Sequence, residues 1–117
     1  MALAENLRIY KECYKLLIEV YRITNKFTKE HKYGLGQEIR EKTFNLFLYI
    51  YKANVSEEKT ADLEKFLENY YEIKLRIRLC KDMNIMSIKS LVVISVLLES
   101  IGKQATAWKS SIKKVII

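Results

Sequence analysis

A chain of 117 residues, half of them apolar, can bury one sizeable core but not two, so a single domain over residues 1–117 is expected. With no proline and only three glycines, little stops helices from running long, and the abundant Leu, Ile, Lys and Glu favour helix throughout. Twenty-one basic against 14 acidic residues give a formal charge of +7; this draws polyanions such as RNA or DNA but also simply keeps a small protein soluble, so charge alone selects no partner.

The opening residues carry charges (Glu5, Arg8, Lys11, Glu12) too early and too evenly spread for a secretory signal, and no apolar run is expected to approach the ~20 residues of a membrane span. The longest apolar stretch, residues 91–98, is interrupted or flanked by Ser87, Lys89, Ser90, Ser95 and Glu99 and reads as a buried helix. A cytoplasmic protein without membrane contact is the expectation.

Residues 3–24 place Leu3, Leu7, Tyr10, Tyr14, Leu17 and Tyr21 at alternating three- and four-residue steps, the spacing of an amphipathic helix. A second stripe of Ile9, Cys13, Leu16, Val20, Ile23 and Phe27 runs alongside, so the apolar arc covers about half the circumference where a surface helix needs only ~100°. One bundle core is not expected to absorb all of it, which assigns Ile9, Tyr10, Leu16, Val20 and Tyr21 to contacts with another copy. Opposite them, Arg8, Lys11, Lys15, Arg22 and Lys26 fall within roughly a 60° arc.

Residues 26–33 lose periodicity and lead to Gly34 and Gly36, which suit left-handed or tight-turn backbone. Leu35, Ile39, Leu46, Ile50 and Ala53 then trace a second helix, with Phe44, Phe47, Leu48 and Tyr51 on an adjoining face and an end near Asn54. Ser56 followed by Glu57 and Glu58 suits the start of a third, because a hydroxyl accepts from an orphan amide and carboxylates favour the positive dipole end.

That helix carries Leu63, Phe66, Tyr70, Ile73, Ile77 and Cys80 in heptad-like spacing toward a soft end near Asn84. Lys74, Arg78 and Lys81 share one of its faces, with Arg76 close in sequence. Ser87 caps a last helix with Leu91, Ile94, Leu98, Ile101, Ala105, Trp108 and Ile112, whose tail after Ser111 is expected to fray or dock on a partner. Four helices of roughly 20 residues with short connections give an all-α, antiparallel, up-down-up-down four-helix bundle.

Catalytic, metal and cofactor sites find no candidates. A di-iron bundle needs paired Glu-x-x-His motifs, whereas the one histidine, His31, stands in a loop among Lys29, Glu30 and Lys32. Gly34-Leu35-Gly36 lacks the preceding strand and the Lys-Ser/Thr pair of a phosphate cradle. Glu64, Glu68 and Glu72, at four-residue steps, read as a solvated face, and Cys13 and Cys80 as buried thiols. The eight tyrosines could stack on bases, but Tyr10, Tyr14, Tyr21 and Tyr70 occupy heptad positions that fit core or subunit contact better.

Tyr33-Gly34-Leu35-Gly36-Gln37-Glu38-Ile39-Arg40, opening the second helix, resembles the Phe/Tyr-Gly-Leu-Gly-Gln-x-Ile-Arg segment of the accessory variability determinant (Avd) family. Near the other end, Leu98-Glu99-Ser100-Ile101-Gly102-Lys103 and Ala107-Trp108-Lys109-Ser110-Ser111 are similar to that family's closing pattern, with Ala107 where the pattern has Gly. The neighbouring family encoded in ribosomal RNA intervening sequences shares the bundle but carries Asn-Ile-Ala-Glu-Gly on its second helix, where this chain reads Leu48-Tyr49-Ile50-Tyr51-Lys52-Ala53-Asn54.

The resemblance implies a basic homopentameric ring that binds a reverse transcriptase and nucleic acid during the mutagenic reverse transcription of a diversity-generating retroelement, without catalysing any step itself. The anion contacts would fall to Arg8, Lys11, Lys15, Arg22, Lys26, Lys74, Arg76, Arg78 and Lys81. Two rival expectations stand beside it: an interaction scaffold whose basic face meets an acidic protein and no nucleic acid, and a small metal-dependent enzyme.

Overall fold

The computed structural model describes residues 7–116, with side chains through Ile112, and the described residues form helices joined by short turns. In chain order these are α1 (Arg8–Thr24), a one-turn α2 (Lys29–Tyr33), α3 (Leu35–Val55), α4 (Lys59–Asp82) and α5 (Ile88–Ile116). The four long helices close into a square in which α1 packs on α3 and α5, and α4 packs on the same two.

Cross-helix pairs fix the directions. Glu38 meets Arg76 and Lys42 meets Glu72 between α3 and α4, and Tyr70 meets Leu98 and Glu64 meets Lys109 between α4 and α5. In both sets one partner advances while the other retreats, so neighbours in sequence run antiparallel. The resulting body measures 49 × 23 × 21 Å.

Each long helix contributes one apolar row to a common core: Cys13, Leu16 and Val20 from α1, Ile39, Leu46 and Ile50 from α3, Leu63, Phe66 and Ile73 from α4, Ile94, Ile101 and Ala105 from α5. Full burial of such side chains stabilises by about 1.5–3 kcal/mol each, which outweighs mediocre local propensity. Two threonines enter this core without orphaned hydroxyls. Thr24 donates to the Val20 carbonyl and Thr43 to the Ile39 carbonyl, both at 2.7 Å.

The boundaries differ from the expected ones for local reasons. The aperiodic stretch after α1 still closes one helical turn, α2. Ser56 ends α3 instead of opening α4; its hydroxyl accepts the Glu58 N–H at 3.0 Å, bending the chain so that α4 begins at Lys59. Ser87 does cap α5, accepting the Ser90 N–H at 3.2 Å. The tail after Ser111, expected to fray or dock on a partner, continues as helix to Ile116; the expected start of the first helix at Leu3 lies outside the described residues.

One stretch of α5, Ile88–Ile112, is long and apolar enough to cross a membrane by length and composition, which corrects the expectation that no segment approaches that length. One face of α5, with Ile94, Leu98, Ile101 and Ala105, belongs to the bundle core. Its outer flank leaves Ile88 at 80 %, Val92 at 57 % and Val96 at 64 % exposure.

Candidate interaction surfaces

The α1–α5 edge carries the first basic row. The core row of α1 turns Arg8, Lys11, Lys15, Arg22 and Lys26 outward, and all five are exposed. Arg8 pairs with Glu12 at 3.3 Å and Arg22 with Glu19 at 2.6 Å, while Lys11, Lys15 and Lys26 pair with no acid among the described residues. Glu12 is itself tied to α5, accepting from the Ser100 hydroxyl at 2.7 Å and from the Gln104 amide. The row therefore flanks a seam that is already satisfied, with its free cations facing water.

The second basic group divides. Lys74, Arg78 and Lys81 are exposed and line one wall of a groove of about 1390 Å³ between α4 and α5. Lys74 lies over the Tyr70 ring at 5.5 Å, and Arg78 stands 3.9 Å from Asp82. Arg76 points the other way, toward α3: it pairs with Glu38 at 3.2 Å and donates to the Glu72 carbonyl at 3.0 Å. This corrects its assignment to an anion-binding row, because its charge is spent on holding two helices together. Beside it the Glu72 carboxyl sits below its usual range, chiefly through the hydrogen bond from Lys42 and further through the Lys42 and Arg76 charges.

The subunit-contact assignment on α1 also changes. Ile9, Leu16 and Val20 are buried within the chain's own core and present nothing to a second copy. Tyr21 remains half exposed, and Tyr10 packs edge-on against Phe47 with centroids 5.2 Å apart. Around them Tyr14, Phe44, Leu48 and Tyr51 complete an exposed aromatic band along the α1–α3 edge. The apolar second face of the third segment of sequence signalled Phe44, Leu48 and Tyr51 without saying where it would point.

His31 lies in α2, and no three His, Cys, Asp or Glu side chains come together among the described residues. Burial pushes the Cys80 thiol up to about 11 and raises Cys13 further, with Glu12 adding to the effect. Both stay protonated at neutral pH and are poor nucleophiles.

A family model described as bAvd-like matches residues 7–112. The chain belongs to the bAvd-like family. No curated protein matches it.

The segments that carry the bAvd-like resemblance turn out to be packing devices. Neither Gly34 nor Gly36 uses a positive φ; of the left-handed or tight-turn conformations expected, Gly34 takes the tight turn, standing alone between α2 and α3. A Cβ on Gly36 would stand 3.0 Å from the His31 carbonyl oxygen and 3.3 Å from both Phe27 and Thr24; the glycine lets α3 start against the end of α1. Ile39 enters the core, and Arg40 donates to the Thr24 hydroxyl at 2.9 Å and the Lys32 carbonyl at 3.0 Å, stacking near Tyr21. One guanidinium thus fastens the α1 end and the α2 turn to α3.

The closing segment works the same way. The Tyr70 hydroxyl donates to the Leu98 carbonyl at 2.7 Å, and a Cβ on Gly102 would collide with that hydroxyl and its ring. Burial, with lesser contributions from Tyr71 and Glu99, holds the Tyr70 pKa above its ordinary value.

Proposed function

We propose that this bAvd-like protein is a non-catalytic accessory subunit of a diversity-generating retroelement, acting in the cytoplasm, that binds template RNA or cDNA along α1 and assists the reverse transcriptase. The observation that carries this reading is the row of five exposed cations on one edge, three of them unpaired. A phosphate backbone neutralises such a row and releases counterions, which favours binding strongly at low salt. Family membership supplies the retroelement context.

Self-association belongs to the same reading, through the aromatic band of Tyr14, Tyr21, Phe44 and Tyr51 in place of the buried aliphatic row. Tyrosine and phenylalanine are enriched at protein interfaces because each buries a large area at small entropic cost. The number five follows the resemblance.

The test is a triple variant, Lys11→Glu, Lys15→Glu and Lys26→Glu, titrated against a labelled 20-nucleotide RNA over a series of salt concentrations. Affinity should drop by more than tenfold at low salt, and the log–log salt slope should flatten by roughly 0.7 for each lost single-strand contact. Circular dichroism should be unchanged, since these side chains leave the core untouched. Unaltered affinity and slope would remove α1 from nucleic-acid recognition.

A further inference from the structure

A groove of about 1390 Å³ runs between α4 and α5, and its α5 wall is apolar where a finished surface is usually polar. Ile88, Val92 and Val96 from α5 and Tyr71 from α4 line the groove at 57 to 80 % exposure. A contiguous apolar strip of this kind marks a contact face. From Ile88 to Ala107 the α5 wall runs about 29 Å at 1.5 Å per residue, the length of a partner helix of roughly 19 residues.

The rim defines the partner's charge. Lys74, Arg78 and Lys81 follow one another along α4 at spacings of four and three residues, with Lys103 across the groove on α5. The acids at the groove, Asp82 and Glu99, are already taken by Arg78 at 3.9 Å and Lys103 at 3.2 Å, so the rim keeps a positive excess, with no acid on Lys74 or Lys81 among the described residues. We infer that this groove receives an amphipathic, acid-flanked helix of a protein partner, its apolar face on Val92 and Val96 and its carboxylates toward Lys74, Arg78 and Lys81.

The competing occupants fit less well. A nucleic-acid strand would cover the aliphatic wall with phosphates, losing hydration without gaining contact. A second copy offers an acidic row that is partly committed, Glu64 to Lys109 and Glu72 to Lys42. A helix laid in a groove, by contrast, satisfies wall and rim together, with apolar anchors at three- and four-residue steps and charges on its shoulders. This deepens the accessory reading by naming the chemistry of its protein partner, and it can fail while RNA binding along α1 stands.

The probe is a synthetic 21-residue helical peptide with leucines on one face and glutamates on both flanks, compared with a twin in which lysine replaces every glutamate. Fluorescence anisotropy with the full chain should give micromolar binding for the acidic peptide and at least tenfold weaker binding for the basic twin. Val96→Glu, at an exposed position that cannot disturb the core, should weaken the acidic peptide at least tenfold and leave a 20-nucleotide RNA within twofold. Equal binding of the two peptides, or no binding of either, overturns the inference. So does a Val96→Glu variant that weakens RNA as much as peptide, which gives the groove to nucleic acid, or one that lowers the mass in light scattering without affecting peptide, which gives it to a second copy.

Discussion

Replacing Gly102 with alanine sets two opposed effects against each other. In a solvent-facing helix the change gains about 1 kcal/mol, because glycine loses more backbone freedom on folding than alanine does. Here the added methyl would overlap the Tyr70 hydroxyl and stand 2.6 Å from its Cζ. Tyr70 is 5 % exposed and inside the core cluster, so the ring can move only by disturbing its neighbours, and overpacking of this kind costs about 1–3 kcal/mol. A displaced ring also gives up its bond to the Leu98 carbonyl, and an orphaned buried hydroxyl costs about 1–3 kcal/mol more. The net expectation is destabilisation by about 1–5 kcal/mol, near 4 °C of melting temperature per kcal/mol for a domain of this size. Urea unfolding of Gly102→Ala in the native and Tyr70→Phe backgrounds checks the cause: without the hydroxyl the nearest overlap and the orphan donor both vanish, and the penalty should shrink by about 1 kcal/mol or more. A midpoint that rises on Gly102→Ala, or a penalty identical in both backgrounds, refutes the reasoning.

Leu16→Ala should lower stability by about 2–5 kcal/mol in denaturant melts while leaving the mass of the folded species unchanged, whereas Tyr21→Ala should reduce that mass in light scattering and barely move the melt. Arg76→Glu should lower the unfolding midpoint, since it places a third carboxylate beside Glu38 and Glu72, while Arg78→Glu, paired only at 3.9 Å on the exposed face, should leave the midpoint unchanged. Native Cys13 and Cys80 should resist alkylation at pH 8 and react promptly in urea, because only the thiolate attacks. The folded state holds the Cys80 proton more tightly than the unfolded chain, so its contribution to stability is full below the ordinary value of 9.0 and lost as pH rises through about 11; an alkaline melt series should fall across that window, and Cys80→Ala should make the fall shallower, with Cys13 and Tyr70 carrying the remainder.

The four long helices were legible because apolar residues at three- and four-residue steps can arise only from helical periodicity. The centre of each buried face was less so. On α1 the stripes Ile9-Cys13-Leu16-Val20 and Tyr10-Tyr14-Leu17-Tyr21 lie side by side, and spacing alone cannot say which points inward. Side-chain chemistry could have: a tyrosine suits an edge, where its ring packs and its hydroxyl stays wet, and the structure buries the aliphatic stripe. Arg76 was misplaced for a different reason. Helical geometry shows which residues share a face, but its partner Glu38 lies 38 positions away in sequence, and only the packed α3–α4 pair brings them together. Gly34 was read as a turn and is one, whereas Gly36 was read for backbone freedom when its use is space, a property of what packs opposite it.

These placements distinguish residues that set the helix frame from residues that face solvent. Gly36, Ile39, Arg40 and Gly102 fix how close α1, α3, α4 and α5 approach, and their side chains, where they have one, are turned inward or spent on internal bonds. The exposed chemistry lies elsewhere, with Lys11, Lys15 and Lys26 on the α1 edge and Val92, Val96 and Lys74 around the α4–α5 groove. The opening motif sets the frame away from both surfaces, whereas the closing motif does two things at once, since Glu99, Gly102 and Lys103 also line the α4–α5 groove. The two surfaces also lie on adjacent edges of the square, sharing α5 but not a side chain. In a body 21–23 Å across its short axes, a helix about 10–12 Å wide seated between α4 and α5 would leave the α1 row open, so the two proposed contacts do not exclude each other on a single subunit.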